Sequence, residues 1–213
     1  MAFLRPSAVA VGRAYELSCQ DFLLRELSMP LLLVGGANDN GIDLRGIWRP
    51  FANLTTLSGR SPSSDKSYAV IAQCKCYSKK LGPSVVRELE GTATTYLQIA
   101  GENHLESVLP LLAVLLSRSS FSEKCIARAT ASSTPMLLLH LQEFTSSPSD
   151  SAGSFTTEPC QYECHGALPN PALQATLQQM FRVTWAYAKR AKKLTPATRP
   201  SFWIGDTSLE SPS

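Results

Sequence analysis

No apolar run in this 213-residue chain approaches the roughly 20 residues needed to span a bilayer. The longest, Leu109 to Leu116, has the length of a strand or a buried helix segment, so a helical membrane span is excluded. Charge is sparse as well, at 17% against a hydrophobic fraction of 44%, which is the balance of a globular chain with room for one substantial core. Six cysteines in a chain of this size do not make a disulfide scaffold, and a reducing compartment is the expectation. The N-terminus lacks a long apolar stretch ending at a small-residue cleavage site, so no secretory signal is expected. Its first 15 residues also hold no acid, while Arg5, Arg13, Ser7 and several alanines are present. That composition suits a mitochondrial transit peptide and equally an ordinary lead into a helix.

The net charge of +3 is unevenly spread. Residues 1–165 carry 14 Lys and Arg against 15 Asp and Glu, whereas 166–213 carry 6 against 2, with Lys189, Arg190, Lys192 and Lys193 in one cluster. A polyanion partner is compatible with this pattern without being required by it.

Hydrophobic periodicity orders the chain. Gly12 to Ser28 reads as an amphipathic helix that stops before Met29-Pro30, because the residue ahead of proline avoids the helical region. Leu31–Val34 and Ile42–Trp48 read as strands around a turn of glycine, asparagine and aspartate at 35–41. Pro50 to Lys66 reads as a surface loop, and Tyr68–Tyr77 as the strongest strand in the chain. A helix follows from Pro83 to about Ala100, then a strand at Leu109–Leu116, a helix at Ser122–Ala131 and a strand at Met136–Leu141. Asn170-Pro171 predicts a closing helix to about Lys193, with Leu173, Leu177, Phe181 and Trp185 on one face. The expected fold is an α/β sandwich, a mixed sheet flanked by helices in the order αβββαβ with further elements. It forms one domain over 1–194, with a mobile loop at about 145–160 and a disordered tail over 195–213.

The chemistry concentrates in Gly41-Ile42-Asp43-Leu44 and Gln73-Cys74-Lys75. Strand residues two apart face the same side, so Gln73 and Lys75 project together while Cys74 turns away. An unpaired lysine in a strand with both faces buried would cost several kcal/mol. Asp43 on the adjacent strand is the carboxylate expected to relieve that cost. A carboxylate, an amide oxygen and an ammonium form a hard-oxygen site suited to Mg²⁺ or Mn²⁺ and to phosphate oxygens. A metal there polarises a phosphoryl oxygen and activates water, and the ammonium offsets charge on the phosphate.

The stretches GGANDNGIDLRG, IAQCKCY and VRELEG resemble the Mrr-like branch of the PD-(D/E)XK nucleases, a restriction-endonuclease-like superfamily. Within it, the chain looks most like a fungal mitochondrial group called "required for respiratory growth". The resemblance implies a metal-dependent endonuclease acting on nucleic acid, DNA above all, with Asp43 and Gln73 on the metal and Lys75 on phosphate and water. It also implies a helical acid in a G-x-x-Y/F-E pattern, here Gly12-Arg13-Ala14-Tyr15-Glu16, which makes Glu16 a further catalytic and metal residue. A mitochondrial location and a possible homodimer belong to the same expectation. Two departures stand out: Ile42 replaces the proline that names the superfamily, and Gln73 replaces an acid and removes a negative charge from the metal site. A catalytically silent scaffold or nucleic-acid-binding protein is therefore the alternative.

Other residues carry weaker signals. Lys79, Lys80 and Arg87 follow the catalytic strand and are candidates for the nucleic-acid backbone, against a plain solvated role. Glu88 lies beside Arg87, either near the active face or in solvent. Asp39 is a secondary candidate in the glycine-rich turn. Cys160, Cys164 and His165 invite a zinc reading, but no convincing second ligand pair exists.

Overall fold

In the computed structural model, residues 7–34, 41–52, 66–102, 109–143, 162–190 and 193–209 are described. Helix α1 (Ala8–Leu27) starts four residues ahead of the sequence expectation, because Ser7 is its N-cap and accepts from the Ala10 amide. It leads into strands β1 (Leu31–Leu33), β2 (Leu44–Trp48) and β3 (Tyr68–Lys75). Then come α2 (Pro83–Glu102), β4 (Leu111–Ser117), α3 (Glu123–Thr130), β5 (Met136–Glu143) and β6 (Tyr162–Pro169). The six strands form one mixed sheet in sequence order. Pairing is antiparallel from β1 to β3, parallel from β3 to β5, and antiparallel again at β6.

Both faces of this sheet are covered, which explains why its central strands read as continuous apolar runs. Val70, Ala72, Val114, Leu116 and Leu139 pack under Tyr15, Cys19, Phe22 and Leu23 of α1. The alternate residues Ile71, Ala113, Leu115 and Leu138 pack under Val86 and Leu89 of α2 and Cys125 and Ala129 of α3. Between β1 and β2 the backbones approach closely at Gly46, where a Cβ would sit 2.7 Å from the Pro30 carbonyl oxygen. The α/β class and the flanked mixed sheet expected from the sequence are thus present.

The C-terminal third departs from expectation. Asn170 does cap a helix, accepting from the Leu173 amide, but α4 (Pro171–Thr176) lasts only six residues. Gln178 and Gln179 adopt positive φ (56° and 59°), and the chain turns into β7 (Phe181–Arg190). β7 pairs antiparallel with β8 (Lys193–Ile204), which pairs with β9 (Thr207–Ser208). The long closing helix is corrected by this, and within the tail expected over 195–213 the described residues 195–204 and 207–208 lie in strands. Phe181, Val183, Trp185 and Tyr187 also recur every second residue, and aromatic and β-branched residues favour a pleated strand once a partner is present. Phe181 and Phe202 stack at 6.2 Å and enter the α1 side of the core, where Phe22 and Trp48 meet them edge-on. The expected loop at 145–160 lies outside the described residues.

Candidate functional site

Gln73 and Lys75 stand at the C-terminal end of β3, and the structure brings their side chains together as the strand alternation requires. Their meeting point is Glu88 on α2. Its Oε1 accepts from Gln73 Nε2 at 2.7 Å and from Lys75 Nζ at 2.8 Å. The carboxylate that relieves the cost of burying Lys75, whose side chain is 15% exposed, is therefore Glu88 and not Asp43. Burial raises the Glu88 carboxyl, but the Lys75 hydrogen bond and charge and the Gln73 amide outweigh it and leave a net lowering. Glu88 stays ionised at neutral pH and holds Lys75 in place.

Gly41 closes this cluster from the β1–β2 turn. Its φ of +79° lies in the left-handed region, and a Cβ there would sit 3.2 Å from Gln73 Nε2 and 3.5 Å from Thr92 Oγ1. The Gly41 carbonyl takes a second hydrogen bond from Gln73 Nε2, at 3.1 Å. With two acceptors at its nitrogen end, the Gln73 amide has a fixed orientation, and its buried Oε1 is left without a hydrogen-bond partner.

Asp43 stands one residue ahead of β2. Its N–H donates to the Ala72 carbonyl (2.9 Å), so it stands opposite Gln73 one step beyond the Leu44–Ala72 pair. Its Oδ2 accepts from the Cys74 amide at 2.6 Å. Glu16, on α1, pairs with Arg13 at 3.1 Å. Its charge and that of Asp43 both act on Cys74, whose thiol is pushed well up by a hydrogen bond with Cys19, by burial and then by these charges. Cys74 therefore remains a protonated core residue. Lys79 and Lys80 are exposed on the segment after β3, and Arg87 is exposed on α2. Asp39 lies outside the described residues.

Among the described residues, no three His, Cys, Asp or Glu side chains converge on a metal position. The oxygen donors at this end of β3 are those of Asp43, which accepts from the Cys74 amide, and the unpartnered Oε1 of Gln73. The zinc reading fails at the two ligands that are described. Cys164 is buried, donates to the Gly166 carbonyl and is pushed up to about 12 by burial. His165 is the next residue on β6, projects from the opposite face and lies 3.8 Å from Glu163. Cys160 lies outside the described residues.

Glu88 is the residue that sequence reasoning left between two roles. The available signals were the VRELEG stretch and its place in the second turn of the helix that follows β3. What fixed its role is the packing of α2 against the sheet.

The orientation of Gln73 makes a direct prediction. Gln73→Glu would set a carboxylate against the Gly41 carbonyl and the ionised Glu88, in place of an amide that donates to both. The expected cost is about 2–4 kcal/mol, read as a lower Tm. Adding Mn²⁺ should recover part of it, and so should the second substitution Glu88→Gln. An unchanged Tm in Gln73→Glu would show that this hydrogen-bond arrangement is wrong.

The model of the family described as "Required for respiratory growth protein 7" matches residues 7–177. A Candida glabrata protein named "Required for respiratory growth protein 7, mitochondrial" is 28% identical over 141 residues, covering 50% of this chain and 53% of that protein. The chain thus spans about half the length of that relative. No solved structure matches.

Proposed function

Because the chain belongs to the "Required for respiratory growth protein 7" family, we propose that it works in the mitochondrion, as the name of its Candida glabrata relative states for that protein, and that it hydrolyses nucleic-acid phosphodiester bonds. The observation that carries the second part is the buried, unpartnered Oε1 of Gln73, whose Nε2 shares Glu88 Oε1 with the ammonium of Lys75, with Asp43 one residue ahead of β2. A divalent cation held by Asp43 and Gln73, Mg²⁺ or Mn²⁺, would supply electrophilic polarisation of the phosphate and a more acidic bound water. The chain's own contributions are then distinct. Lys75, fixed by Glu88, places positive charge where the phosphate gains negative charge. The Gly41 carbonyl and Glu88 hold the Gln73 amide by its nitrogen and limit its rotation. DNA is the expected substrate, from the resemblance to Mrr-like nucleases.

A second reading has its own support. Glu88 already satisfies both Gln73 Nε2 and Lys75 Nζ, an arrangement that is self-sufficient as a structural clamp in a nuclease-fold scaffold that cleaves nothing. Calorimetric titration with Mn²⁺ separates the two. A nuclease site gives a saturable heat that disappears in Asp43→Asn. A scaffold gives no Asp43-dependent heat, and its nucleic-acid binding needs no metal and weakens with salt.

A further inference from the structure

A cavity of about 580 Å³ opens beside the proposed catalytic strand, at the carboxyl ends of the parallel strands β3, β4 and β5. Ligands of open α/β sheets collect at this edge, because the strand ends diverge and loops rise around them. Its walls carry Lys80 after β3, Arg118 directly after β4, and His140 and Gln142 on β5. Ser78 and Ser120 add hydroxyls, and Tyr77, 54% exposed, stands among the lining residues. No carboxylate is among the described lining residues. The site is thus rich in hydrogen-bond donors and positively charged, which is the recognition chemistry of an anion with several oxygens.

The geometry ties this cavity to the neighbouring site. The Arg118 amide donates to the Lys75 carbonyl at 3.1 Å, and Ser117 is the register partner of Lys75. Arg118 Nη1 rests 4.0 Å from Cys76 Sγ, and the Ser119 hydroxyl fastens the next loop by donating to the Lys79 carbonyl at 2.6 Å. Two cations are in this way attached to the backbone that carries Lys75. A second cavity, of about 520 Å³, shares Tyr77, Ser78 and Lys80 and leads to the start of α2, whose first turn holds no acid. The volume suits a small ligand, since pockets for such ligands run to roughly 300–1,000 Å³.

We propose that this cavity binds a nucleotide phosphomonoester, with the phosphate between Arg118 and Lys80 and the base against Tyr77. Two sources share that chemistry: the phosphorylated end of a nucleic-acid strand and a free mononucleotide. The inference rests on the nucleic-acid reading of the Gln73/Lys75 site and deepens it by assigning end recognition to the adjoining cavity. A base on an exposed tyrosine accounts for the aromatic residue, because every base has a π-face to stack.

The test uses the full chain in the presence of a chelator, so that no cleavage interferes. Short single-stranded oligonucleotides bearing a phosphate at the 5′ or the 3′ end are compared with the same strands ending in hydroxyls, by fluorescence anisotropy. Adenosine monophosphate and adenosine serve as unlabelled competitors. The phosphate-ended strand at one of the two ends should bind at least about tenfold tighter than its hydroxyl counterpart, the difference a charge-assisted contact supplies. Arg118→Gln should erase that preference, and Lys80→Gln, in an exposed loop, should reduce it and serves if Arg118→Gln does not fold. Tyr77→Ala should weaken the strand and the nucleotide alike. A phosphate-ended strand that outbinds the mononucleotide assigns the strand end, and equal affinity assigns the free nucleotide. Equal binding of phosphate- and hydroxyl-ended strands, or a preference untouched by both cation variants, overturns the proposal. A phosphate preference retained in Asp43→Asn, in a protein whose wild type cleaves nothing with Mg²⁺ or Mn²⁺, would overturn the nuclease reading and leave this one standing.

Discussion

Asp43→Asn is expected to abolish metal-dependent cleavage, with a loss on the order of 10²-fold or more, while leaving the fold intact. The choice of asparagine follows from the geometry. Asp43 Oδ2 accepts from the Cys74 amide at 2.6 Å, within the sheet beside the α1 core. Alanine would strand that amide and cost about 1–3 kcal/mol for an unmade buried hydrogen bond. A drop in rate would then confuse catalysis with unfolding. Asparagine keeps an acceptor oxygen and removes only the negative charge, and that charge is what a divalent cation needs. Lys75→Gln should lose cleavage comparably, since Glu88, left behind, is half exposed at 49% and can turn to water. Initial rates on single-stranded and duplex DNA with Mg²⁺ and with Mn²⁺, beside thermal unfolding curves, check both variants. Full activity in either would place the chemistry elsewhere in the molecule.

Phe202→Ala in the full chain is expected to destabilise the protein by about 3–5 kcal/mol, the usual cost of emptying a phenylalanine site in a core. Phe202 is fully buried and touches Phe22 of α1 and Phe181 of β7 edge-on and stacked, respectively. Its loss opens a cavity where the first helix and the C-terminal hairpin meet, two parts of the chain far apart in sequence. Chemical denaturation with urea measures the change. A stability within about 0.5 kcal/mol of wild type, the scatter of surface substitutions, would mean that Phe202 is not part of the core, in keeping with the disordered tail over 195–213 that the sequence suggests.

The site was legible where local rules suffice. Period-two alternation put Gln73 and Lys75 on one face of β3, and turn chemistry put Gly41 at a positive φ. Glu16 and Glu88 show where such rules stop. The G-x-x-Y-E pattern singled out Glu16, yet in the structure it is Arg13, one helical turn away, that pairs with it. Glu88 lay in the VRELEG stretch, which named no partner for it, and it holds the Gln73 and Lys75 side chains because α2 docks on that face.

The C-terminal third shows the same boundary for the fold. Leu173, Leu177, Phe181 and Trp185 satisfy a helical spacing, while Phe181, Val183, Trp185 and Tyr187 satisfy a strand spacing. The residues alone do not choose between them. A helix satisfies its own backbone, whereas a strand needs a neighbour, so the choice belonged to residues 193–204 and to their docking on α1. By itself the sequence determined the α/β class, the central strands, and the pairing of Gln73 with Lys75, because hydrophobic period and strand alternation are properties of adjacent residues. Only the tertiary structure decided which carboxylate partners Lys75, which hairpin closes the core, and which cations meet beside β3. Those are contacts between elements remote in the chain, and they exist only after packing.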